Sequence, residues 1–473
     1  MKRLNELLER IIQRVNVNLR EPLFDVGPYV RGLVPWQQLV KFYAFYGITP
    51  HHPLNFHFSR SNLSGSYFLG KCHVTDSILY KTDIRGDELK RKGDVFSTEG
   101  FKIPLQEDET IRVKDSFLIK TLVHNNSHDP EHPEDFIIQN TVSTHFANIH
   151  GSVVEGCFMG PFSTVDLTTV HDCVIGEYAY VQAGELSHRQ VPAGTVWVRS
   201  GDRFDFAFRH PPEMLQRYVR FGPGSPPEGI FMAFIDRRKG DYQRIFDVVN
   251  LESPFSMPPG ASLNRYAVIK PKTQIGRNVL VAQRAYVENS WLGDGANAQE
   301  NCYILHSRLN GNNVTAHGAK IIHADLGTKV FVGFNSFLQG SANQRLTIGA
   351  GCIVMPHTII DLDAAVRIPE EHLVWGFIRN PQDVAANSLP LARLSALSGE
   401  LTLGAMRFKG DGRLFVDGFK HRIEHILEAN GAYCDGAAQR GHAQQSQDIS
   451  FNLIQPYPEG ELKGLYPTID IHP

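Results

Sequence analysis

The sequence predicts a mainly β protein with two left-handed parallel β-helix domains and helical extensions at both ends. Two observations carry this prediction: an aliphatic residue returns at every sixth position over long stretches, and a short polar phrase returns after 16 to 18 residues. An α-helix would bring apolar residues back after three or four positions, and a single strand after two. A repeat of six therefore needs a different geometry.

The six-residue step is clearest in the second half of the chain. Ile275, Val281 and Val287 follow one another at this spacing, and the step continues as far as Val366. A short strand and a corner use six residues, and three such faces close a coil of about 18 residues whose strands pair in parallel with the next coil. Glycines such as Gly276 fit corners where a Cβ atom would crowd the backbone.

A corner phrase supports the register of the coils. It runs from an aliphatic residue through small polar residues to a glycine, as in Val170-His-Asp-Cys-Val-Ile-Gly176 and Val287-Glu-Asn-Ser-Trp-Leu-Gly293. Cys157 and Cys173 are 16 residues apart in matching places of this phrase. We expect them to stack on successive coils as small residues and not to act as nucleophiles.

The repeats divide the chain into five predicted segments. These are an N-terminal helical extension (1–55), a first β-helix with inserted loops (56–200), a linker with short helices (201–256), a second β-helix (257–380) and a C-terminal helical and irregular extension (381–473). Proline pairs mark the linker, where helices are expected near 212–220 and 242–249. Residues 85–110 and 123–135 break the register and are expected to be loops.

Each extension contains one helical pattern. Apolar residues at helical spacing form a stripe of Leu4, Leu7, Leu8, Ile11, Ile12 and Val15, and a second helix is predicted at 415–429. Such helices suit packing on the flank of a β-helix or on a partner better than they suit catalysis.

Composition limits the location and the partners. The 473 residues carry 47 basic and 50 acidic side chains, a net charge of -3, without the basic excess of a surface that binds nucleic acid or anionic membrane. No stretch approaches 18 consecutive apolar residues, and six cysteines without a Cys-x-x-Cys pair suit a reducing compartment. We therefore expect a cytoplasmic protein that binds neither nucleic acid nor membrane.

The repeats resemble the hexapeptide-repeat superfamily of left-handed β-helix proteins over roughly residues 60–200 and 257–380. This superfamily includes acyltransferases, C-terminal domains of sugar-nucleotide transferases and γ-class carbonic anhydrases. The resemblance implies a transferase that moves an acyl group from a CoA-type thioester to a hydroxyl or amine of a small molecule, with a groove histidine as general base. It also implies a homo-oligomer, with a trimer favoured, because flat-sided β-helices bury their faces against one another.

Histidines at repeated places are the candidate bases. His306 and His323 share the second place of the corner phrase, 17 residues apart, so successive coils should stack the two imidazoles about 4.8 Å apart. His317 lies between them, and Asn335 is a candidate orienting partner. The sequence does not select one histidine, and a solvated corner without chemistry explains the His306 and His323 pair equally well.

A second set of histidines matches a metal motif. In γ-class carbonic anhydrases, a segment His-x4-His-Gly carries two imidazoles of a zinc site, and His145 and His150 have this spacing before a glycine. His171, at the repeated corner place of the first β-helix, is a further candidate ligand. Zinc would acidify a bound water enough to give hydroxide near neutral pH. The motif is incomplete, since residues 109–114 contain no histidine.

Three functions stay open from the sequence. Acyl transfer is favoured, a metal-dependent hydratase similar to γ-class carbonic anhydrases is the alternative, and a non-catalytic β-helix scaffold or assembly subunit is the third. His124, His128 and His132 are expected in a flexible polar loop and are not assigned to any of these functions.

Overall fold

The computed structural model describes residues 1–40, 44–48, 55–98, 101–126, 135–242, 257–445, 448–452 and 456–471. Contacts group the chain into two compact units. Unit 1 is Met1–Thr195, Leu215–Gly229 and Gln447–Pro473, and unit 2 is Val196–Met214 and Ile230–Ser446. Because each unit is assembled from separate stretches of chain, the five segment boundaries given above stay a prediction.

Only two helices exceed two turns within the described ranges. The α-helices there are α1 (Lys2–Asn18), α2 (Gly27–Val30), α3 (Trp36–Leu39), α4 (Pro212–Tyr218), α5 (Ile230–Asp236), α6 (Pro381–Asn387), α7 (Leu391–Ser395) and α8 (Gly412–Ala429), with a 3₁₀ turn at His442–Gln444. The helices predicted at the N-terminus, near 212–220 and at 415–429 are confirmed. The helix expected near 242–249 lies outside the described residues, apart from Tyr242. No helix among those described has the length and apolar character to cross a bilayer.

Unit 1 contains a left-handed parallel β-helix with three sheets as its faces. The first sheet has strands Tyr180–Gln182, Thr164–Asp166, Asn148–His150, Leu122–Asn126, Asp83–Glu88, Tyr67–Leu69, Ala44–Ile48 and Asp448–Asn452. The second has Gln190–Val191, Val174–Ile175, Phe158–Met159, Val142–Ser143, Phe117–Ile119 and Ile78–Tyr80. The third has Gly184–Ser187, Thr168–His171, Val154–Glu155, Asp135–Gln139, Thr110–Lys114, Cys72–Thr75, Phe56–Ser59 and Ile469–Ile471. Two antiparallel pairs lie outside these faces, Val95–Thr98 with Phe101–Pro104 and Arg220–Gly222 with Ser225–Glu228.

Unit 2 contains a second β-helix of the same kind. Its first sheet has strands Ser262–Leu263, Leu280–Val281, Asn297–Ala298, Val314–Thr315, Phe331–Val332, Ile353–Val354, His372–Val374 and Ser388–Pro390. The second has Val268–Ile269, Tyr286–Glu288, Tyr303–Leu305, Lys320–Ile322, Phe337–Gln339, Ile359–Asp361 and Phe377–Ile378. The third has Gln274–Ile275, Trp291–Leu292, Arg308–Leu309, Ala324–Leu326, Leu346–Ile348 and Val366–Ile368. Unit 2 also contains strands Phe204–Arg209, Met406–Asp411 and Ser398–Leu403, which pair in that order as antiparallel neighbours.

The interior of unit 2 explains the six-residue step. Val281 and Val287 are fully buried in one apolar cluster that runs along the coils. Val287 pairs in parallel with Ile304, one coil further on, so each inward residue packs on its equivalent in the next coil. A Cβ atom on Gly276 would lie 2.8 Å from the backbone nitrogen of Asp294, which explains the glycine at that corner. The mainly β fold with two left-handed β-helices is confirmed.

Small polar residues of the corner phrase form a ladder inside unit 1. The backbone N–H of Ser77 donates to Oγ of Ser61 at 3.1 Å, and the N–H of Ser116 donates to Oγ of Ser77 at 3.2 Å. Further along the same ladder, the N–H of Cys173 donates to Sγ of Cys157 at 3.4 Å. The two cysteines are free, buried and stacked, as the sequence predicted. Each hydroxyl or thiol thus satisfies a backbone donor that the corner leaves without a strand partner.

Helix α1 lies along the same corner of unit 1, where its contacts are to the residues just before the ladder serines and cysteines. Its predicted apolar stripe is buried, and its polar side reaches corner residues with a left-handed backbone, Asp76 (φ 50°), Asp115 (φ 46°) and Asp172 (φ 54°). Aspartate tolerates this backbone better than most residues do. Arg10 lies 3.0 Å from Asp76 and 3.3 Å from Asp115, and Asn18 donates to Asp172 at 2.6 Å. The corner carboxylates therefore also fix the helix.

Two stretches expected as loops contain strands. In 85–110, Asp83–Glu88 continues a sheet, and Val95–Thr98 pairs with Phe101–Pro104. In 123–135, Leu122–Asn126 is a strand of the first sheet, and residues 127–134, with His128 and His132, lie outside the described residues. The prediction of a loop was therefore wrong for these strand residues. The insertions break the six-residue register between one coil and the next, and the strands within each coil are retained.

A buried hydroxyl provides a test of this core. Thr315 points inward between Ala298 and Val332, and its Oγ1 has no hydrogen-bond partner among the described residues. We expect Thr315→Val to raise the free energy of unfolding in urea by about 1 kcal/mol, because it removes an unsatisfied polar atom without changing shape.

The matched control is Thr141→Val. Thr141 Oγ1 donates to the carbonyls of Gln139 at 2.8 Å and Val154 at 3.2 Å, so this change should lower the free energy of unfolding by about 1 kcal/mol. Equal destabilisation by both changes would show that the Thr315 hydroxyl is satisfied.

Candidate functional site

His306 and His323 stack on successive coils of unit 2, as the 17-residue spacing predicted. Their ring centroids are 4.7 Å apart and the ring planes differ by 12°. Both residues have a left-handed backbone, with φ of 51° and 49°, and both rings are partly exposed. The register of the β-helix therefore places the two rings against each other.

The surroundings of this pair contain one amide and one guanidinium group. Asn289 Nδ2 lies 2.9 Å from Nδ1 of His306. Arg345 donates to the His306 carbonyl at 3.3 Å and forms an ion pair with Asp325 at 2.7 Å. Partial burial, and then the positive charges of His306 and Arg345, lower the pKa of His323. Within the described ranges, therefore, no carboxylate contacts either imidazole of this pair.

His317 lies at a different corner of unit 2 and pairs with a carboxylate that the sequence did not single out. Its Nδ1 lies 2.9 Å from Oε2 of Glu300, and the two side chains are 2% and 5% exposed. Glu300 is one coil earlier, where its carbonyl accepts from the N–H of Gly318. A proton on Nδ1 would face this carboxylate oxygen and would leave the lone pair on Nε2. This tautomer is the one that a general base needs.

Asn335 was predicted to orient a histidine, and it contacts His317 through the backbone. Its N–H donates to the His317 carbonyl at 3.0 Å, and the two residues lie on successive coils. A Cβ atom on Gly318 would lie 2.2 Å from Oδ1 of Asn335, so glycine is required beside His317. The group on the imidazole itself is Glu300, and Asn335 fixes the corner that carries the ring.

Lys320 follows the same corner and is buried. Its Nζ donates to the Gly318 carbonyl at 2.6 Å and lies 5.8 Å and 6.0 Å from the rings of Phe231 and Tyr303. Burial lowers its pKa to about 7. The lysine is therefore close to half-protonated at neutral pH, and it was not identified from the sequence.

In unit 1, His150 is held by a chain of two hydrogen bonds. Its Nδ1 lies 2.9 Å from Oδ1 of Asp166, its direct strand partner on the next coil. The hydroxyl of Tyr180 donates to the other Asp166 oxygen, Oδ2, at 2.5 Å. Asp166 and Tyr180 are buried. The result is a second histidine and carboxylate pair whose carboxylate is itself held in place.

His124 lies beside His150, which corrects its assignment to a flexible loop. It belongs to strand Leu122–Asn126 and is the direct parallel partner of His150. The two ring centroids are 5.1 Å apart and the ring planes differ by 82°. His124 is 7% exposed. The sequence hid this neighbour because the inserted residues after strand Leu122–Asn126 lengthen the spacing to 26 residues.

His145 and His171, the other two predicted metal ligands, have separate surroundings. His145 lies in the turn before strand Asn148–His150, where burial, and then the charge of Lys120, hold its pKa well below the usual value. Nδ1 of His171 lies 3.2 Å from Oε2 of Glu155 on the preceding coil. Among the residues that the structure describes, neither histidine belongs to a cluster of three metal-ligating side chains. The structure brings neither of them together with His150.

Comparisons with known proteins agree with this architecture. The family described as "Hexapeptide repeat including loop" matches residues 101–223. A solved structure from Desulfovibrio desulfuricans G20, of a protein named as a candidate acetyltransferase, is 53% identical and covers 100% of this chain and 99% of that chain, with a TM-score of 0.94. The chain belongs to the hexapeptide-repeat superfamily of left-handed β-helix proteins. No curated protein matches this hexapeptide-repeat chain.

The hexapeptide repeat also shows which signal could have found the missed residues. Glu300 and His317 are 17 residues apart, and His150 and Asp166 are 16 apart, so each pair is separated by one coil. This step holds at the other corners and strand ends as well as in the corner phrase. Applied there, it would have paired each histidine with its carboxylate. Tyr180 could not be found in this way, because it contacts Asp166 from the neighbouring strand without being its direct strand partner.

The burial of Lys320 leads to a prediction on stability and pH. Its pKa is about 7 in the folded chain and about 10.4 when unfolded, so the unfolded chain binds more protons between these values. The stability of the wild type should therefore fall as the pH falls from 10 to 7. Lys320→Met removes this loss, so its advantage in free energy of unfolding should grow by about 1.4 kcal/mol for each pH unit lowered.

Urea unfolding at pH 7, 8, 9 and 10 measures this difference. Lys329→Met is the matched control, since Lys329 is half-exposed and pairs with Glu424 at 2.7 Å. A pH-independent difference between Lys320→Met and the wild type would contradict the lowered pKa.

Proposed function

We propose that the protein is an acyltransferase that moves an acyl group from a CoA-type thioester to a hydroxyl or amine of a small molecule. Membership in the hexapeptide-repeat superfamily, and the likeness to a candidate acetyltransferase over the whole chain, support the class of reaction. The observation that carries the choice of base is the 2.9 Å contact between Nδ1 of His317 and Glu300.

The proposed step needs one group that takes up a proton and returns it. Nε2 of His317 removes the proton from the acceptor as its oxygen or nitrogen attacks the thioester carbonyl. The bond from carbon to sulfur then breaks, and the leaving thiolate takes the proton from the imidazolium. Glu300 holds Nδ1 throughout and stabilises the imidazolium by its charge. Since both side chains are buried, this electrostatic contribution is larger than it would be in water.

His317 is preferred to His306 and His323 because of their different partners. Asn289, beside His306, can orient an imidazole but cannot balance a positive charge. His323 lies against His306, and its lowered pKa makes it a weaker base. Among His306, His317 and His323 in unit 2, His317 is the one with a carboxylate partner in the described part of the chain.

The proposal includes the partners that the superfamily implies. A CoA-type thioester is the co-substrate, a small molecule is the acceptor, and a homotrimer is the expected assembly. The cytoplasmic location follows from the cysteine content and the absence of long apolar stretches in the sequence. These are proposals that support one another, and none of them is needed for the assignment of His317.

The test of the base is His317→Gln. We expect kcat with acetyl-CoA and a panel of hydroxyl and amine acceptors to fall by about 10² to 10⁴, the usual contribution of a general base. KM for acetyl-CoA should change little, because the imidazole acts on the acceptor. Release of free thiol measures turnover, and thermal shift with acetyl-CoA measures binding.

His372→Gln is the matched control in unit 2, since this histidine is partly exposed and its Nδ1 contacts only the Glu370 carbonyl among the described residues. Glu300→Gln should retain folding and lower kcat with a shift of the pH profile. Full activity of His317→Gln, or its loss in His306→Gln instead, would overturn the assignment. A wild-type protein that neither binds acetyl-CoA nor turns over any acceptor would favour the scaffold function.

A further inference from the structure

The outward side of the first sheet in unit 1 carries polar side chains that are nonetheless buried. On neighbouring strands it presents Asp83, Arg85, His124, Asp166 and Tyr180, with exposures of 2%, 5%, 7%, 0% and 1%. Buried polar and ionised groups are costly unless they are paired or bind an ion. This face therefore groups carboxylates and imidazoles of the kind that hold a cation, and Arg85, the direct strand partner of His124, adds one opposing positive charge.

Within this face, His124 and His150 are direct neighbours on successive coils. Their ligand nitrogens lie within 4.8 Å of each other. A tetrahedral metal ion at about 2.0 to 2.1 Å from each nitrogen would bring the two nitrogens to about 3.4 Å. Side-chain rotation would have to close the remaining gap of at most about 1.4 Å between the two nitrogens.

Asp166 and Tyr180 give His150 the surroundings of a metal ligand. Metal-bound histidines almost always donate their other ring nitrogen to a carboxylate or carbonyl, which fixes the tautomer and strengthens the ligand. Nδ1 of His150 lies 2.9 Å from Asp166, and Tyr180 holds the second carboxylate oxygen. With Nδ1 protonated, Nε2 is the nitrogen that presents a lone pair to an ion.

We propose that His124 and His150 bind a divalent transition metal ion in unit 1. Imidazole ligands select zinc, cobalt, nickel or copper over magnesium and calcium, which prefer oxygen. Two protein nitrogens leave further coordination places for water or for a bound ligand, as in sites that are not purely structural. Glu88, with Oε1 3.8 Å from Nε2 of His124, adds negative charge that favours a cation.

This site differs from the one expected from the sequence. The zinc motif paired His150 with His145, whereas the structure pairs His150 with His124 across the coils. The site does not depend on the proposed acyl transfer, and its test measures metal binding directly. Failure of the metal site would leave the assignment of His317 unchanged.

The experiment is titration of the metal-free full-length protein with Zn²⁺ and, separately, Co²⁺. We expect one tight ion per chain, and visible Co²⁺ absorption typical of nitrogen ligands in a low-symmetry site. His124→Gln and His150→Gln should each abolish the Co²⁺ spectrum. Asp166→Asn should retain the spectrum and weaken binding by about 10- to 100-fold, the usual effect of losing a carboxylate that orients a ligand.

His188→Gln is the matched control, because His188 is a half-exposed histidine of unit 1 that also lies beside carboxylates, 3.3 Å from Glu21 and 3.7 Å from Asp172. It should bind both ions like the wild type. Circular dichroism establishes that each variant is folded. Wild-type binding weaker than about 100 μM for both ions, or unchanged binding in the double variant of His124 and His150, would overturn the proposal.

Discussion

Parallel pairing of each strand with its equivalent one coil away is the constraint on which the rest of this structure depends. It places residues 16 or 17 positions apart in the sequence, such as Glu155 and His171 or Glu288 and Leu305, at the same height on one face. The spacing between strands, about 4.8 Å, then decides which side chains meet. Apolar residues meet in the interior, and polar residues meet at the corners and on the outer faces.

The same register builds a structural ladder at one corner and brings histidines against carboxylates at other positions. At the serine and cysteine corner, each side chain accepts a backbone N–H from the next coil, as between Ser61 and Ser77, and nothing is left for a substrate. Where a histidine follows a carboxylate by one coil, as with Glu300 and His317, the contact instead fixes a tautomer. The difference lies in the residue types, because the backbone is the same in both cases.

The six-residue step and the corner phrase were enough to predict the two β-helices, the stacked cysteines and the stack of His306 on His323, and the helical spacing of apolar residues predicted helix α1. These features depend on local repeats that insertions do not disturb. The pairing of His124 with His150 could not be predicted, because inserted residues between them change the spacing to 26. His145 has other neighbours than the motif implies, since its spacing to His150 is set within one coil and its neighbours by the adjacent coils.

Burial of the histidine and carboxylate pairs is difficult to explain by stability alone. Removing two ionisable groups from water costs several kcal/mol, and apolar residues of similar volume usually serve a core equally well or better. The outward columns of these coils accept apolar residues elsewhere, as Phe337 and Ile359 show in unit 2. Because a β-helix repeats one packing solution many times, these polar exceptions argue for function, with His317 and Glu300 in one unit and His150 and Asp166 in the other.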